Sequence, residues 1–343
     1  MSDTPVPRAH RRPAWLDRLA SWDVAVIVIA VVVLLISSGA VENFGTSRNY
    51  TFLLLDLLPI ALMALPMTFI IVTGEIDLSV ASILGLTCTV FGQLWFLGVT
   101  SLPLLIVISL ALGAVLGAVN GTFITVFGLP SLAVTIGTLA LFSGLGYVVL
   151  GDRAVANYPV TWTRNIIAPI PGLTIPWFII VVAGLAVLFG IVLYGTPIGR
   201  GLYAMGNSAD AATFTGINVA KTKFWLYVLS GATSSLAGVF WTLRFASARA
   251  DNGVGLELSV IAAVLLGGVS IFGGRGGLIG VIAAVILLSV LRNALQLAYV
   301  PANTLTIVTG ALLIASVVGP NLVAMARERL RRRRSTAAPV ASA

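Results

Sequence analysis

Long apolar runs, separated by short polar breaks or by breaks that contain glycine and proline, make up most of this chain. The hydrocarbon core of a bilayer is about 30 Å thick, so a helix needs about 20 apolar residues to cross it. Ten runs approach or reach that length, and we predict each as a membrane span. The predicted spans cover residues 24–41, 52–73, 78–97, 102–119, 131–150, 175–194, 224–243, 258–272, 278–291 and 304–323. The pattern therefore predicts an all-α membrane protein with about ten transmembrane helices.

Composition agrees with this pattern and excludes two other classes of protein. Of the 343 residues, 58% are hydrophobic and 9% are charged, whereas soluble domains are about a quarter charged. A soluble globular protein is therefore excluded, and so is a disordered chain, which could not keep so much apolar surface in water. Cys88 and His10 are the only residues of their types. An internal disulfide, a cysteine-built metal site and imidazole chemistry within the membrane are thus excluded.

The formal net charge of +8 comes mostly from the two ends of the chain, so it gives no reason to expect nucleic-acid binding. If ten spans alternate in direction, the side that holds both ends has fourteen of the twenty Lys and Arg residues, and the other side has six. Positively charged segments are retained on the cytoplasmic side. We therefore predict that both termini are cytoplasmic and that their basic tails lie next to anionic lipid.

The first apolar run has an alternative interpretation as a cleaved secretory signal. Arginines precede it, and Ser38, Gly39 and Ala40 follow its core in the manner of a cleavage site. We favour a retained span, because the run continues to Val41 and no soluble domain follows it. Nine spans would remain after cleavage, and the last would still end inside.

Short sequence matches predict an internal repeat. Residues 77–80 read Asp-Leu-Ser-Val and residues 257–260 read Glu-Leu-Ser-Val, and two further matches occur in the same order. Spans two to five thus recur as spans seven to ten, in the opposite membrane orientation. Inverted repeats are typical of transporters, in which two oppositely oriented copies open alternately around a central site.

Asp56, Glu75, Asp77 and Glu257 are the candidate carboxylates within or beside the predicted spans, where an ionised group is costly unless it has a function or a partner. For Asp77 and Glu257, a helix-start acid satisfied by free backbone N–H groups is one interpretation, and a role in the pathway or in gating is the other. For Asp56, the alternatives to a functional role are a packed acid that bonds to a neighbouring helix and an acid that lies near the outer interface. Glu75 falls in the turn after the second span. The glycine-rich run 267–280 joins two short spans, so we predict irregular backbone that dips into the membrane there.

A short helix is predicted in the polar segment between the sixth and seventh spans. Asn207 or Ser208 can cap its start, Asp210 suits its first turn and Gly216 can end it. A helix of about eight residues needs a surface to lie on, which is either the headgroup layer or a groove in a partner that accepts Phe214. The chain has no Gly-x-x-x-x-Gly-Lys-Ser/Thr phosphate loop, so any ATP hydrolysis must occur in another subunit.

Three motifs carry a resemblance to a known family. Residues 73–79 read Thr-Gly-Glu-Ile-Asp-Leu-Ser, residues 204–218 contain Ala-Met-Gly-Asn and Thr-Gly-Ile-Asn, and residues 264–274 read Val-Leu-Leu-Gly-Gly-Val-Ser-Ile-Phe-Gly-Gly. Across residues 50–323 the chain resembles permease subunits of bacterial ABC sugar importers of the ribose, rhamnose and autoinducer-2 type. It departs from that family at Glu75 and Ala81, where glycine is usual.

The resemblance implies a multi-pass protein of the bacterial inner membrane that is not an enzyme, with a permease domain at 24–323 between basic tails at 1–23 and 324–343. Its implied partners are two ATP-binding-cassette ATPase subunits, a second copy or a paralogous permease, and a periplasmic or lipid-anchored solute-binding protein. ATP would bind to the partner subunits, and no cofactor is expected in this chain. The expected ATPase-coupling residues are Asn207, Ser208, Asp210, Phe214 and Gly216. The expected translocation-pathway residues are Asp56, Gly74, Glu75, Asp77, Ser79, Glu257, Gly267 and Gly268.

The predicted function is ATP-driven import of a sugar or sugar-like solute, with rhamnose, autoinducer-2 and a pentose all left open. An ion-coupled secondary exporter is the main alternative, and Asp56 or Asp77 would then carry the coupling ion. A membrane scaffold is a third possibility, although a scaffold has no need for paired broken helices. Purification with or without an associated ATPase distinguishes these classes.

Overall fold

The structure is a computed structural model that describes residues 22–301 and a few scattered helical positions between 304 and 318. The described part is helical, and two isolated β-bridges are its only extended pairings. The helices are α1 (Trp22–Ala40), α2 (Ser47–Val72), α3 (Val80–Phe96), α4 (Leu102–Thr125), α5 (Ser131–Leu150), α6 (Val160–Ile167), α7 (Phe178–Gly190), α8 (Pro197–Asn207), α9 (Ala209–Phe214), α10 (Val219–Phe245), α11 (Leu256–Leu266) and α12 (Leu278–Leu297). A π-helical segment, Ile191–Gly195, extends α7. The all-α prediction is thus confirmed.

Seven of the described helices are long and apolar enough to cross a membrane: α1, α2, α4, α5, α7 with its π-helical extension, α10 and α12. Two others, α3 and α11, are apolar but shorter, with 17 and 11 residues. The tenth predicted span, 304–323, lies largely outside the described residues. The structure therefore supports seven membrane-capable helices, and the count of ten stays a prediction.

The predicted end of the eighth span is wrong. We predicted a helix to residue 272, but α11 ends at Leu266, because Gly267 and Gly268 close it with backbone bonds to Ala263 and Leu265, each 2.9 Å long. Gly268 has a φ of 89°, a conformation that terminates helices. Residues 267–277 are irregular, as the glycine-rich run predicted.

Several helices extend beyond the predicted spans because their polar residues find partners. In α4, Thr122 and Thr125 donate hydroxyl bonds of 2.7 Å to the carbonyls of Ala118 and Gly121, so these threonines do not end the helix. In α12, Asn293 exchanges amide bonds of 2.9 and 3.1 Å with Asn49 of α2. The two short helices α6 and α8 were not predicted.

The centre of the described fold consists of α2 and α10. In their most apolar stretches, 89% and 72% of the residues are buried, compared with 17–28% for α1, α4, α5 and α7. The backbones of α4 and α10 approach closely at Gly113, Gly117 and Gly231, where an added methyl group would overlap backbone atoms of the other helix. Gly113 and Gly117 are therefore helix-packing glycines, whose lack of a side chain lets the two backbones approach. The outer helices leave broad apolar faces for lipid or another subunit.

Candidate functional site

A buried carboxylate lies in the α2–α3 loop. Asp77 is 1% exposed, and its Oδ1 accepts bonds from the backbone N–H of Ser79 at 3.0 Å and from the Ser79 hydroxyl at 2.6 Å. Its Oδ2 accepts a 2.8 Å bond from Ser230 of α10, and Asn120 of α4 donates a 2.8 Å bond to the Ser79 hydroxyl. Asp77 thus joins the α2–α3 loop to α10 directly and to α4 through Ser79, and only its bond to the Ser79 N–H matches the helix-start interpretation. Sequence reasoning did not identify Ser230.

The same loop is fastened to α10 and α5 by further contacts. Glu75 forms an ion pair with Lys223, in the first turns of α10. Tyr227 donates a 3.1 Å bond to the carbonyl of Ile76, whose N–H donates a 3.2 Å bond to the hydroxyl of Ser131 at the start of α5. The unusual glutamate at position 75 therefore links the α2–α3 loop to the helix that follows α9.

Four glycines meet where α8 ends, and we call Gly74, Gly206, Gly273 and Gly274 the glycine junction. The N–H of Gly274 donates a 2.9 Å bond to the carbonyl of Val72, the last residue of α2. A methyl group at Gly206 would overlap that carbonyl and the nitrogen of Gly274. One at Gly273 would come within 2.9 Å of backbone atoms of both Gly206 and Gly74. The end of α8 thus packs directly on the backbones of the α2–α3 and α11–α12 loops.

Two tyrosines strengthen this contact. The Tyr203 hydroxyl of α8 donates a 2.7 Å bond to the carbonyl of Gly276, and the Tyr194 hydroxyl accepts a 2.8 Å bond from the N–H of Leu278 at the start of α12. The segment that precedes α9 is therefore bonded to the α11–α12 loop at two points besides the glycine junction.

The helix predicted in the polar segment is α9, and its cap is Ser208. The Ser208 side chain accepts a 3.2 Å bond from the N–H of Ala211, while Asn207 is the last residue of α8. The helix has six residues rather than about eight, because Thr215 caps its C-terminus before Gly216 turns the chain with a φ of 87°. Phe214 is 90% exposed and Asp210 is also exposed.

A crevice of about 610 Å³ lies beside α9, between the end of α4 and the start of α10. Asp210, Thr213 and Lys223 line it together with Ile124 and Thr125.

The start of α10 was predicted five residues too late, although the sequence contains its N-cap. The side chain of Asn218 accepts a 2.9 Å bond from the N–H of Lys221.

Asp56 lines a separate cavity that we call the Asp56–Arg244 chamber. Its volume is about 490 Å³. Asp56 forms an ion pair there with Arg244, near the end of α10. Asp56 therefore bonds to a residue on a neighbouring helix, as the packed-acid interpretation predicted. The chamber is lined by Phe52, Asp56, Ile60, Trp241, Arg244, Phe245, Leu256, Ser259, Leu288, Ser289, Leu291, Arg292, Asn293, Leu295, Gln296, Leu305 and Val308.

Glu257 lies in the first turn of α11, as predicted, and faces a different and smaller pocket of about 180 Å³. Ser82 and Gly85 of α3 and Asn252 of the α10–α11 loop also line this pocket. The Oε2 of Glu257 is buried there and has no hydrogen-bond partner among the described residues. The pocket thus brings the starts of the two short apolar helices together.

The α10–α11 loop is held in place at several points. Arg249 bonds to Asp251 at 2.8 and 2.9 Å, and these hydrogen bonds lower the pKa of the Asp251 carboxyl. Val155 and Ala248 exchange two backbone bonds of 3.0 and 2.8 Å. A methyl group at Gly85 of α3 would lie 2.7 Å from the carbonyl of Asn252, so this loop also packs against α3.

The predicted pathway residues do not gather in one cavity. Gly267 packs against Val281 of α12, and Gly268 packs against the ring of Trp22. Asp77 and Ser79 are buried in the hydrogen-bonded cluster, and Gly74 belongs to the glycine junction. Of the eight residues, Asp56 and Glu257 line pockets, and those two pockets are separate.

Comparison with known proteins gives consistent relatives. Residues 49–317 match the family described as "Branched-chain amino acid transport system / permease component". The autoinducer 2 import system permease protein LsrD of Salmonella typhimurium is 33% identical over 308 residues, which covers 88% of this chain and 92% of that protein. LsrD of Escherichia coli O157:H7 is 34% identical over 317 residues, covering 90% and 94%. No solved structure matches the chain.

Proposed function

The chain belongs to the family of branched-chain amino acid transport system permease components, and from this premise we propose that it is the membrane-embedded subunit of an ATP-driven importer of a sugar-like solute. It is a protein of the bacterial inner membrane, and its activity is transport, not catalysis. The named relatives are autoinducer 2 import permeases. We propose autoinducer 2 or a related small sugar, such as rhamnose or a pentose, as the solute.

The proposed topology has ten spans, with both termini cytoplasmic and spans two to five repeated upside down as spans seven to ten. The two short apolar helices occupy corresponding positions in this repeat: α3 begins at Val80, the last residue of the motif at 77–80, and α11 begins at Leu256, one residue before the motif at 257–260. Short or broken helices at corresponding positions of two halves are typical of transporter binding regions.

The proposed coupling element is α9, which would dock in a groove of the ATPase subunit that binds ATP. The observation that carries this proposal is Phe214, a large apolar side chain that is 90% exposed on a capped helix. A six-residue helix is not stable by itself in water, and a partner groove would provide the missing contacts. Movement of α9 would reach the α2–α3 and α11–α12 loops through the glycine junction and the Glu75–Lys223 ion pair.

The remaining partners are proposed on the same basis. A family of importer permeases implies ATPase and solute-binding partners in general, and we propose two ATPase subunits, a second copy or paralogous permease, and a periplasmic or lipid-anchored binding protein. The exposed faces of α4, α5 and α7 leave room for a second permease. The ion-coupled exporter needs an acid that can bind the coupling ion. Asp56 is paired with Arg244 and Asp77 accepts a bond from Ser230, so neither acid favours that alternative, and the family does not favour it either.

Replacement of Phe214 by alanine tests the coupling role. We expect Phe214→Ala to weaken the permease–ATPase complex about thirtyfold, because central aromatic anchors contribute about 2 kcal/mol or more to an interface. Solute uptake should fall in proportion, while the amount of permease in the membrane stays unchanged. The measurements are co-purification of the ATPase subunits and uptake by reconstituted vesicles.

A suitable control is Tyr299→Ala, which removes another highly exposed aromatic ring, beyond the end of α12. This control should retain both the ATPase and full uptake. Full ATPase binding and full uptake by the Phe214→Ala protein would refute the proposed role of α9.

A further inference from the structure

Residues 75–77 of the α2–α3 loop lie along one face of α10. Lys223, Tyr227 and Ser230 are spaced four and three residues apart, which places them on the same face of the helix. In this order they bond to residues 75, 76 and 77. The loop is thus fastened to α10 by three successive bonds, and the first of them is the Glu75–Lys223 ion pair.

The three bonds differ in how far water can reach them. The side chains of Glu75 and Lys223 are each 17% exposed, whereas Tyr227 and Ser230 are 1% and 0% exposed. Separating an ion pair that water reaches costs little free energy, because water solvates both charges. A buried polar group that is left without a partner costs far more. The Glu75–Lys223 pair is therefore the one of the three bonds that can open while the fold stays intact.

Lys223 also faces a second carboxylate. It lines the crevice beside α9 together with Asp210, the only carboxylate among the described residues of the crevice wall. Asp210 is exposed and forms no ion pair with any residue in the described part of the chain. The two opposite charges lie on different walls, Asp210 on α9 and Lys223 on α10. Movement of α9 towards α10 would close the crevice and bring the two side chains together.

The backbone on both sides of α9 suits such a movement. Ser208 is extended, with φ of −163° and ψ of 113°, and Gly216 is left-handed, with a φ of 87°. The helix is therefore separated from α8 and from α10 by non-helical residues that can absorb a change of angle. Lysine carries its charge on a flexible four-carbon stem, so Lys223 can turn from one carboxylate to another while its backbone stays within α10.

We propose that Lys223 is a two-position switch, paired with Glu75 while the crevice is open and with Asp210 when α9 closes on α10. The exchange conserves the number of ion pairs, so a partner bound to α9 needs little free energy to drive it. In the closed position the α2–α3 loop keeps its bonds to Tyr227 and Ser230 and loses the ion pair. The proposal rests on the coupling role proposed for α9, and it names the residue through which that helix acts on the α2–α3 loop.

Disulfide formation across the crevice tests the switch in the full-length permease in lipid nanodiscs, without any partner protein. Thr213→Cys on α9 and Ala220→Cys on α10 place two exposed thiols on the crevice wall. A disulfide forms only when the two Cα atoms come within about 7 Å, so its rate reports closure. The single native cysteine, Cys88, is buried. The measured quantity is the rate at which free thiols are lost under a mild copper oxidant.

We expect Glu75→Gln to raise this rate about fivefold. Loss of the Glu75 charge frees Lys223 to pair with Asp210, and one ion pair that water reaches shifts an equilibrium by up to about this factor. Addition of Asp210→Asn or of Lys223→Met should return the rate to that of the parent. Sodium chloride at about 1 M should reduce the increase, because salt screens exposed charges.

Two further variants separate the switch from general damage to the fold. Lys221→Met removes an exposed lysine two residues earlier that does not line the crevice, and it should leave the effect of Glu75→Gln unchanged. The combined swap of Glu75→Lys with Lys223→Glu restores the first ion pair and places a second carboxylate opposite Asp210. Its rate of disulfide formation should therefore not exceed that of the parent.

An unchanged rate in the Glu75→Gln protein would overturn the switch, and so would an increase that persists after addition of Asp210→Asn. The measurement uses the permease alone, whereas the transport function is tested by uptake with the ATPase. Failure of the disulfide test with intact ATP-dependent uptake would refute the switch and leave the proposed function standing.

Discussion

A Gly206→Ala permease should lose at least nine-tenths of its ATP-dependent uptake. The new methyl group would overlap the carbonyl of Val72 and the nitrogen of Gly274, which are bonded to each other at 2.9 Å. Both are backbone atoms, so no flexible side chain can move aside, and α8 must shift away from the glycine junction. Overpacking of this kind costs about 1–3 kcal/mol. Because α8 leads directly into α9, the shift would also disconnect the proposed coupling helix from the α2–α3 and α11–α12 loops.

Gly201→Ala is the matched control on the same helix. The nearest atom to its added methyl group is the Cδ1 of Ile217 at 3.7 Å, which is an ordinary contact distance. Alanine is also the better helix former by about 1 kcal/mol, so this variant should be at least as stable as the parent. Uptake by vesicles that contain the ATPase, and thermal unfolding of the purified permease, are the measurements. Equal uptake by both variants would show that close packing at the glycine junction is not needed to transmit movement of α9 to the α2–α3 and α11–α12 loops.

Asp77→Val should destabilise the permease by about 2–5 kcal/mol. The substitution removes the acceptor of the Ser79 N–H, the Ser79 hydroxyl and the Ser230 hydroxyl, all in a buried position. Each buried donor left without a partner costs about 1–3 kcal/mol, and partial relaxation reduces the sum. Because Asp77 joins the α2–α3 loop to α10, we expect little folded protein to remain in the membrane.

The conservative variant Asp77→Asn separates the loss of hydrogen bonds from the loss of charge. Its amide oxygen can accept from Ser79, and its NH₂ group can donate to the Ser230 hydroxyl. Asp77→Asn should therefore retain most of the stability and most of the uptake. The midpoint of thermal unfolding in detergent and the yield of folded protein are the readouts. An Asp77→Asn protein as damaged as Asp77→Val would mean that the negative charge itself is required.

Local features of the fold were predictable from the sequence, and contacts between distant segments were not. Ser208 and Asp210 identify α9 because capping depends on residues within one turn. The partners of Asp56 and Asp77, by contrast, lie 188 and 153 residues away, and nothing near either acid indicates Arg244 or Ser230. The close packing of Gly267 on Val281 of α12 is likewise a contact between separate segments, and its role in the pathway stays a prediction.

Span lengths were mispredicted where polar side chains are satisfied within the helix or by a neighbour. Thr122 and Thr125 bond to their own preceding turn, and Asn293 pairs with Asn49. A hydropathy pattern treats such residues as breaks, because it does not include the hydrogen bond that offsets the free-energy cost of burying their polar groups. The glycine junction could not be predicted from hydropathy either. It is defined by the short distances between the backbones of three separate segments, which the sequence pattern does not contain.

The proposed function requires a separate ATPase, and reconstitution tests that requirement most directly. The purified permease is placed in lipid vesicles alone, with its ATPase subunits, or with the ATPase subunits and ATP, and accumulation of labelled solute delivered by the binding protein is measured. We predict accumulation against a gradient only in the third preparation. Accumulation by vesicles that hold the permease alone, driven by an imposed ion gradient, would contradict the account.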